Sequence, residues 1–374
     1  MARNRTIYNI EAVYVSQDVT STGSGAHVQV KRAQNISSST EIVRQDVNQL
    51  GELARIDSIV VSPPNVSADL SYYLTDGANE KALGFYVQNV GSTGEGNFAS
   101  GHLVSSSGIN IYEVIGAEGN DLNYETSLSG KAVRGFGNSF ISNYQVEAAV
   151  GGLPTVSVSV ESLNTNSETY THLGAVTGVN TPAISPTLGT ALTQNTGVRL
   201  PIPTTGSGPS ALRPGDVTIS FGDLTGLAAS KASSFHALEG ADGLRVQNIS
   251  LAIPLSRTPI EQLGSRFPFA RPVDFPVTAT LSVSAIANEN VKRNLASMLD
   301  DTTENNITVT INQPDGTAGV KYILRGAKFD SESSSLDIGS NKTVDLQFSA
   351  QIGGPATLSR GIFMSGSHSG SVFA

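Results

Sequence analysis

The side chains capable of sharp chemistry are few. Histidines stand at His27, His102, His172, His236 and His368. None has a second histidine or a carboxylate at metal-ligand spacing, and no H-E-x-x-H occurs. Surface or loop histidines are therefore expected. Cysteine is absent, which removes thiolate nucleophiles, thiolate metal sites and disulfides. No G-x-S-x-G elbow and no P-loop ending in "GK[ST]" is present, and "SGKAV" at 129–133 lacks the upstream glycines. The glycine-rich "GSTGEGNFASG" (91–101) would cradle phosphate only between a strand and a helix. "HLVSSSGINIYEV", which follows it, reads as a strand, so a hairpin loop is expected. Glu118, Asp121 and Glu125 in "EGNDLNYE" are calcium-type ligands. Their spacing misses the calcium-loop pattern, and a solvated acidic turn is the simpler reading. No enzyme, no cofactor and no metal are expected.

Composition points the same way. The chain has 374 residues, 15% of them charged, with 38 glycines, no tryptophan and 6% aromatics. Gly, Ser, Thr, Asn and Val dominate the reading, which favours strands and turns over helices. The net charge is −9 and no Lys/Arg run exists. A protein that grips nucleic acid through its phosphates carries a basic patch, so tight DNA binding is not expected. "MARNRTIYNI" has basic residues but no apolar stretch of signal-peptide type. No run of eighteen apolar residues occurs, so no membrane span is expected.

What must position the remaining polar residues is a repeat. Residues 32–51, "RAQNISSSTEIVRQDVNQLG", fall without a gap on 245–264, "RVQNISLAIPLSRTPIEQLG", at an offset of 213. Nine of twenty positions are identical: Arg32/Arg245, Gln34/Gln247, Asn35/Asn248, Ile36/Ile249, Ser37/Ser250, Arg44/Arg257, Gln49/Gln262, Leu50/Leu263 and Gly51/Gly264. Further on, an offset of 211 matches Ala68, Leu70 and Leu74 with Ala279, Leu281 and Ala285. "ANE" recurs at 78–80 and 287–289, "PTVSVSVES" (154–162) resembles "KTVDLQFSA" (342–350), and "AVYVS" (12–16) weakly resembles "DVTIS" (216–220).

Each copy then reads as strand, "QNIS" strand, "QLG" turn, alternating strand, short helix and two closing strands. Strict alternation in "TVSVSVES", "TATLSVSAI", "TVDLQFSA" and "NITVTI" predicts half-buried antiparallel strands. "NENVKRNLASMLDD" (288–301) predicts a helix, and "NEKALGF" a turn or two of one. The expected fold is mainly β: two tandem β-sandwich or partial-barrel units, each with a short helix. The expected division is 1–163 for the first unit, 164–215 for a Pro/Gly/Thr-rich linker or arm, 216–356 for the second unit, and 357–374 for a flexible tail.

The shared polar residues are the candidate site. Gly51 and Gly264 suit a turn that needs positive φ. Arg32, Arg245, Arg44 and Arg257 suit a subunit boundary or an internal ion pair, with plain solvation as the alternative. Asn35, Asn248, Gln49 and Gln262 suit hydrogen bonds at a turn or across an interface.

A duplicated β unit carrying "QNIS…R…QLG", followed by an alternating strand and closed by "ILRGAKFDSESSSLDIGSNKTVDLQFSAQIGG" (323–354), resembles bacteriophage tail tube (major tail) proteins. The resemblance covers about 10–162 and 214–354. It implies a β-sandwich flanked by a helix in each unit, and six units per ring. Rings stack around a channel that carries DNA. With two units in one chain, it implies a homotrimer with pseudo-sixfold rings, in a virion tail assembled in the host cytoplasm. Tape-measure, tail terminator and baseplate proteins, and a sheath in a contractile tail, are the implied partners. Three chains carry a formal −27, so DNA passes a like-charged wall without sticking. The long central segment and the lack of a separate outer domain depart from the family's simple pattern. Other virion β-proteins, such as a baseplate hub, a capsid decoration protein or an adhesin, are the alternative. A glycan hydrolase is disfavoured by the scarcity of aromatic platforms.

Overall fold

The computed structural model describes residues 11–16, 27–62, 65–89, 96–105, 108–116, 122, 131–169, 179–181, 198–200, 211–212, 217–222, 245–263, 268, 270–286, 305–313, 318–335, 341–354 and 357–368. The expected helix at 288–301 and the acidic turn at 118–125, apart from Leu122, lie outside them. So do Gly264, His172 and His236.

The chain is mainly β. In its first half run β1 (Glu11–Ser16), β2 (His27–Gln29), β3 (Ala33–Glu41), β4 (Arg44–Val47), β5 (Asp57–Val60) and β6 (Asn65–Tyr73). Helix α1 (Ala78–Ala82), β7 (Val87–Asn89), helix α2 (Ser100–Val104), β8 (Ile109–Ile115), β9 (Ala132–Ala149), β10 (Thr155–Ser162) and β11 (Asn164–Thr169) follow. A separate ribbon pairs β12 (Val179–Thr181) with β13 (Val198–Leu200). The second half runs β14 (Val217–Gly222), β15 (Arg245–Pro254), β16 (Thr278–Ile286), β17 (Asn305–Asn312), β18 (Ala318–Ser335), β19 (Thr343–Gln351) and β20 (Gly361–Gly366).

Alternation of side chains builds the strands. In β10, Val156, Val158 and Val160 are buried while Ser157 faces out. In β16, Ala279, Leu281, Val283 and Ala285 are buried while Ser282 is exposed. The eighteen-residue strands β9 and β18 each serve two layers. Their first parts pair with β8 and β11, and with β17 and β20, respectively. Their later parts pair with β10 and β19. The apolar core fills the space between the layers, with Phe85, Phe98, Tyr144, Tyr322 and Phe348 fully buried.

The two halves place their strands alike. The first gives the order β3-β6-β10-β9, the second β15-β16-β19-β18. The same residues are bulged. Gln34 is skipped between β3 and β6, and Gln247 between β15 and β16. Ser142 is skipped between β9 and β10, and Asp330 between β18 and β19. Bulges are local and specific, so matching bulges fix the alignment of the halves. The offset is 213 for β3/β15 and β6/β16, and 188 for β9/β18 and β10/β19. By the same registers β1, β8 and β11 correspond to β14, β17 and β20.

Several expectations are corrected. The match at offset 211 is slipped by two residues: Leu70 corresponds to Val283, not Leu281. A slip of two leaves every side chain on the same face, so alternation alone cannot detect it. "HLV" is the end of α2 rather than a strand. His27 and His102 are buried, against the edge of Tyr112 and beside Phe85 respectively, rather than on the surface. Within 357–374, β20 is wholly buried and antiparallel to β18 and parallel to β7, because Ile362, Phe363 and Met364 complete the core.

Candidate assembly interface

One seam joins the halves. The later part of β9 pairs with β15, so a single run of strands reads β3-β6-β10-β9-β15-β16-β19-β18. Across the seam Ile249 meets Ala148, Leu251 meets Val146 and Ile253 meets Tyr144. All six are buried. Tyr144 and Tyr322 share a 2.8 Å hydroxyl contact, and Tyr144 Oη also donates to Glu80 Oε1 at 3.3 Å. Tyr72 Oη donates to the same carboxylate oxygen at 2.9 Å. Burial pushes the Glu80 carboxyl up to about 7, against the pull of the tyrosine hydrogen bonds. Sequence reasoning missed this cluster, because its four members come from four elements separated by up to 250 residues.

Arg257 ties the seam together. Its Nη1 donates to the Arg271 carbonyl at 2.7 Å, its Nη2 to the His102 carbonyl of α2, and its guanidinium lies 4.7 Å from the Phe140 ring centroid. Desolvation, then the Arg271 charge, lowers its pKa to about 10. Burial likewise drives His102 down to about 3, with Arg257 adding to the effect, so its imidazole is neutral. Arg271 also approaches Glu161 of β10 at 3.5 Å.

The "QLG" segments lie at two projecting arms. β4 and β5 pair as a hairpin, with Arg44 opposite Val60 and Val47 opposite Asp57. In the second half Arg257 bridges Val273 and Ile260 bridges Ala270, the same register at offset 213. Leu50 and Leu263 at the tips are 100% and 104% exposed, and Leu53 is 111% exposed. Gly51 has φ +96° and open space around it. Gln49 and Gln262 are exposed on the arms.

The bases of the arms differ. Leu255 and Val273 are buried in the seam at 0% and 6% exposure, whereas their counterparts Ile42 and Val60 are each 48% exposed. Arg44 is exposed where Arg257 is clamped. Arg32 has φ 56° just before β3, and its carbonyl accepts from Tyr73. Asn35 pairs with Ser71 on the outer edge, while Asn248 pairs with Ser284 and with Ala149 across the seam. Arg245 begins β15 opposite Ile286.

Among the described residues two sheet edges remain: β3 pairs only with β6, and the later part of β18, 328–335, pairs only with β19. The solvent face between them is hydroxyl- and amide-rich: Asn35, Ser71, Ser157, Gln145, Ala252, Thr280 and Ser349 form one cross-strand row. That face carries Asp69, Glu147 and Asp345 against Lys328. Among the described residues no group of three or more His, Asp or Glu is placed to hold a metal ion, and no helix is long and apolar enough to cross a membrane.

No family model matches the chain, and no curated protein matches it. Among solved structures it is similar to the SPP1 tail tube, at 14% identity and TM-score 0.31 over 45% of this chain and 81% of that one. It is also similar to a chain of the anti-feeding prophage baseplate, at 14% identity and TM-score 0.24 over 40% of this chain and 91% of that one.

Proposed function

We propose that this protein is a phage tail tube subunit built from two tandem tube units, three copies of which close head to tail into a pseudo-sixfold ring. Stacked rings form the channel through which DNA leaves. The first unit extends through β11 and the second through β20. The observation that carries the reading is the seam inside the chain. There the last strand of one four-strand run pairs with the first strand of the next. The free edges, β18 and β3, are the counterparts of those two strands. A head-to-tail contact of this kind closes into a ring or runs on as a filament. Closure at three chains is what the sequence resemblance to tail tube proteins implies for a chain with two units.

Exposure supports it. Ile42 and Val60 at the free edge are open, while Leu255 and Val273 in the filled seam are buried. Transferring the seam register, in which Ser250 meets Glu147 and Ala252 meets Gln145, sets Ser37 of one copy opposite Ser335 of the next, and Ser39 opposite Ser333. Closure removes both edges and their aggregation hazard. The solvent face becomes the channel wall, where acidic and hydroxyl side chains prevail over Lys328 and offer phosphate little counter-charge. Leucines exposed at the arm tips offer apolar surface to dock against the adjacent layer. No catalysis and no cofactor enter. Tape-measure, terminator and baseplate proteins are the partners at the tube and its ends, with a sheath outside it in a contractile tail.

Negative-stain electron microscopy of purified protein, with a mass measurement on the same fraction, tests this. Hollow tubes or stacked rings with three chains per layer are expected. Monomers that never associate at high concentration overturn it. A discrete trimer that never stacks favours a baseplate or decoration role.

A further inference from the structure

On the proposed ring reading, we infer that the seam between copies is held by an ion pair between Glu332 of one copy and Arg134 of the next, where the seam inside the chain has Tyr144 against Tyr322. The alignment of the halves leads directly to it. Tyr144 lies two residues past the bulge at Ser142 and faces Val158. Glu332 lies two residues past the bulge at Asp330 and faces Leu346. The two are equivalent on β9 and β18. Tyr322 lies opposite Val309 and Met364. Arg134 lies opposite Glu113 and Ser167, the counterparts of those residues. The rotation that carries the first half onto the second therefore carries the hydroxyl pair Tyr144–Tyr322, 2.8 Å apart, onto Glu332 and the second copy's Arg134.

The charges are opposite, and the side chains reach about as far as two tyrosines. Closing the seam takes water from the Glu332 carboxylate, and a guanidinium brought up to it by the next copy offsets that loss. The surrounding positions shift in the same direction. Leu251 and Ile253 of the internal seam correspond to Ser38 and Thr40 on β3, and Val146 to Ser334 on β18. The seam between copies is thus polar where the internal one is apolar. A single chain exposes few large apolar side chains along β3 and the end of β18, and joining copies depends on charge. One contact does not transfer: the counterpart of Phe140 is Lys328, so Arg44 cannot repeat the stacking of Arg257 there.

The test is a charge swap read by analytical ultracentrifugation and electron microscopy. Glu332→Arg alone and Arg134→Glu alone should each weaken ring formation by about tenfold or more in midpoint concentration. Glu332→Arg with Arg134→Glu in one chain should restore it to within about threefold, the behaviour of coupled neighbours. Wild-type assembly should also weaken with added salt. Thermal melting of each dilute variant establishes that the chain is folded. Because Arg134 also lies over Phe136 at 5.2 Å, Glu332→Gln serves as the milder variant and should weaken assembly without changing melting. If wild type forms rings but the double swap is no better than the singles, or the singles assemble normally, the ion pair is wrong and the ring reading stands. If wild type forms no ring at all, both fall.

Discussion

Glu80 is a carboxyl group at 0% exposure, flanked by Tyr72, Tyr144 and, through Tyr144, Tyr322. Its folded pKa is raised to about 7 from an ordinary 4.5, first by burial and to a lesser degree by Asp76. Below pH 4.5 both folded and unfolded chains hold the proton, and the group costs nothing. Between about pH 4.5 and 7 the unfolded chain releases its proton while the folded chain keeps it. Stability therefore falls as pH rises, by about 1.4 kcal/mol per unit, and levels off above pH 7 at a total of about 3 kcal/mol. Glu80→Gln holds the neutral shape at every pH. It should melt close to wild type at pH 4.5 and higher than wild type at pH 8. For a chain of this length about 3 kcal/mol corresponds to about 4 °C. The assay is thermal unfolding of both proteins at dilution from pH 4.5 to 8.5, taking the difference at each pH so that other carboxylates cancel. A difference independent of pH, or one largest at low pH, refutes the reasoning. Asp76→Asn should shrink the effect, since it removes the acid that raises Glu80 and that pairs with His368 at 2.9 Å.

Other consequences follow from the seam. Leu255→Ala should cost the monomer about 3 kcal/mol or more by leaving a cavity, while Ile42→Ala should leave monomer melting within about 1 °C and weaken assembly; equal melting losses count against the equivalence of the two sites. Arg257→Met should destabilise the monomer by about 2–4 kcal/mol in denaturant titration, since it strips a donor from the His102 and Arg271 carbonyls. Lysine at Ser157, Thr280 and Ser282 together should leave rings intact and slow DNA ejection from particles, measured by release of a DNA-binding dye; unchanged ejection argues against that face lining the channel.

Much of the fold is legible in the sequence. Alternation marks β6, β10, β16 and β19, and the gapless match of 32–51 with 245–264 aligns β3 and the first arm with β15 and the second. What escaped has specific physical causes. The two-residue slip of β6 against β16 preserves every facing, so only the hydrogen-bond register reveals it. β20 hides in a Gly- and Ser-rich stretch because its core value lies in three residues, Ile362, Phe363 and Met364, and its pairing with β7 begins only at Met364, opposite Val87 in the other half of the chain. The candidate residues were found by identity between the copies, which picks up the arm tips and Arg257. The residues that distinguish one seam from the other, Tyr144 and Tyr322 against Glu332 and Arg134, differ between copies by their nature. Comparison by identity passes over them; only a structural alignment sets them side by side.

The central claim is that β3 of one copy completes β18 of another in the register of the internal seam. Cysteine is absent from the chain, so Ser37→Cys with Ser335→Cys introduces one clean pair of thiols, at positions whose cross-strand spacing suits a disulfide. Oxidation of assembled protein, followed by denaturing electrophoresis without reductant, should give bands of one, two and three chains and none above three. No band beyond the monomer, or a ladder that continues past three, contradicts the account.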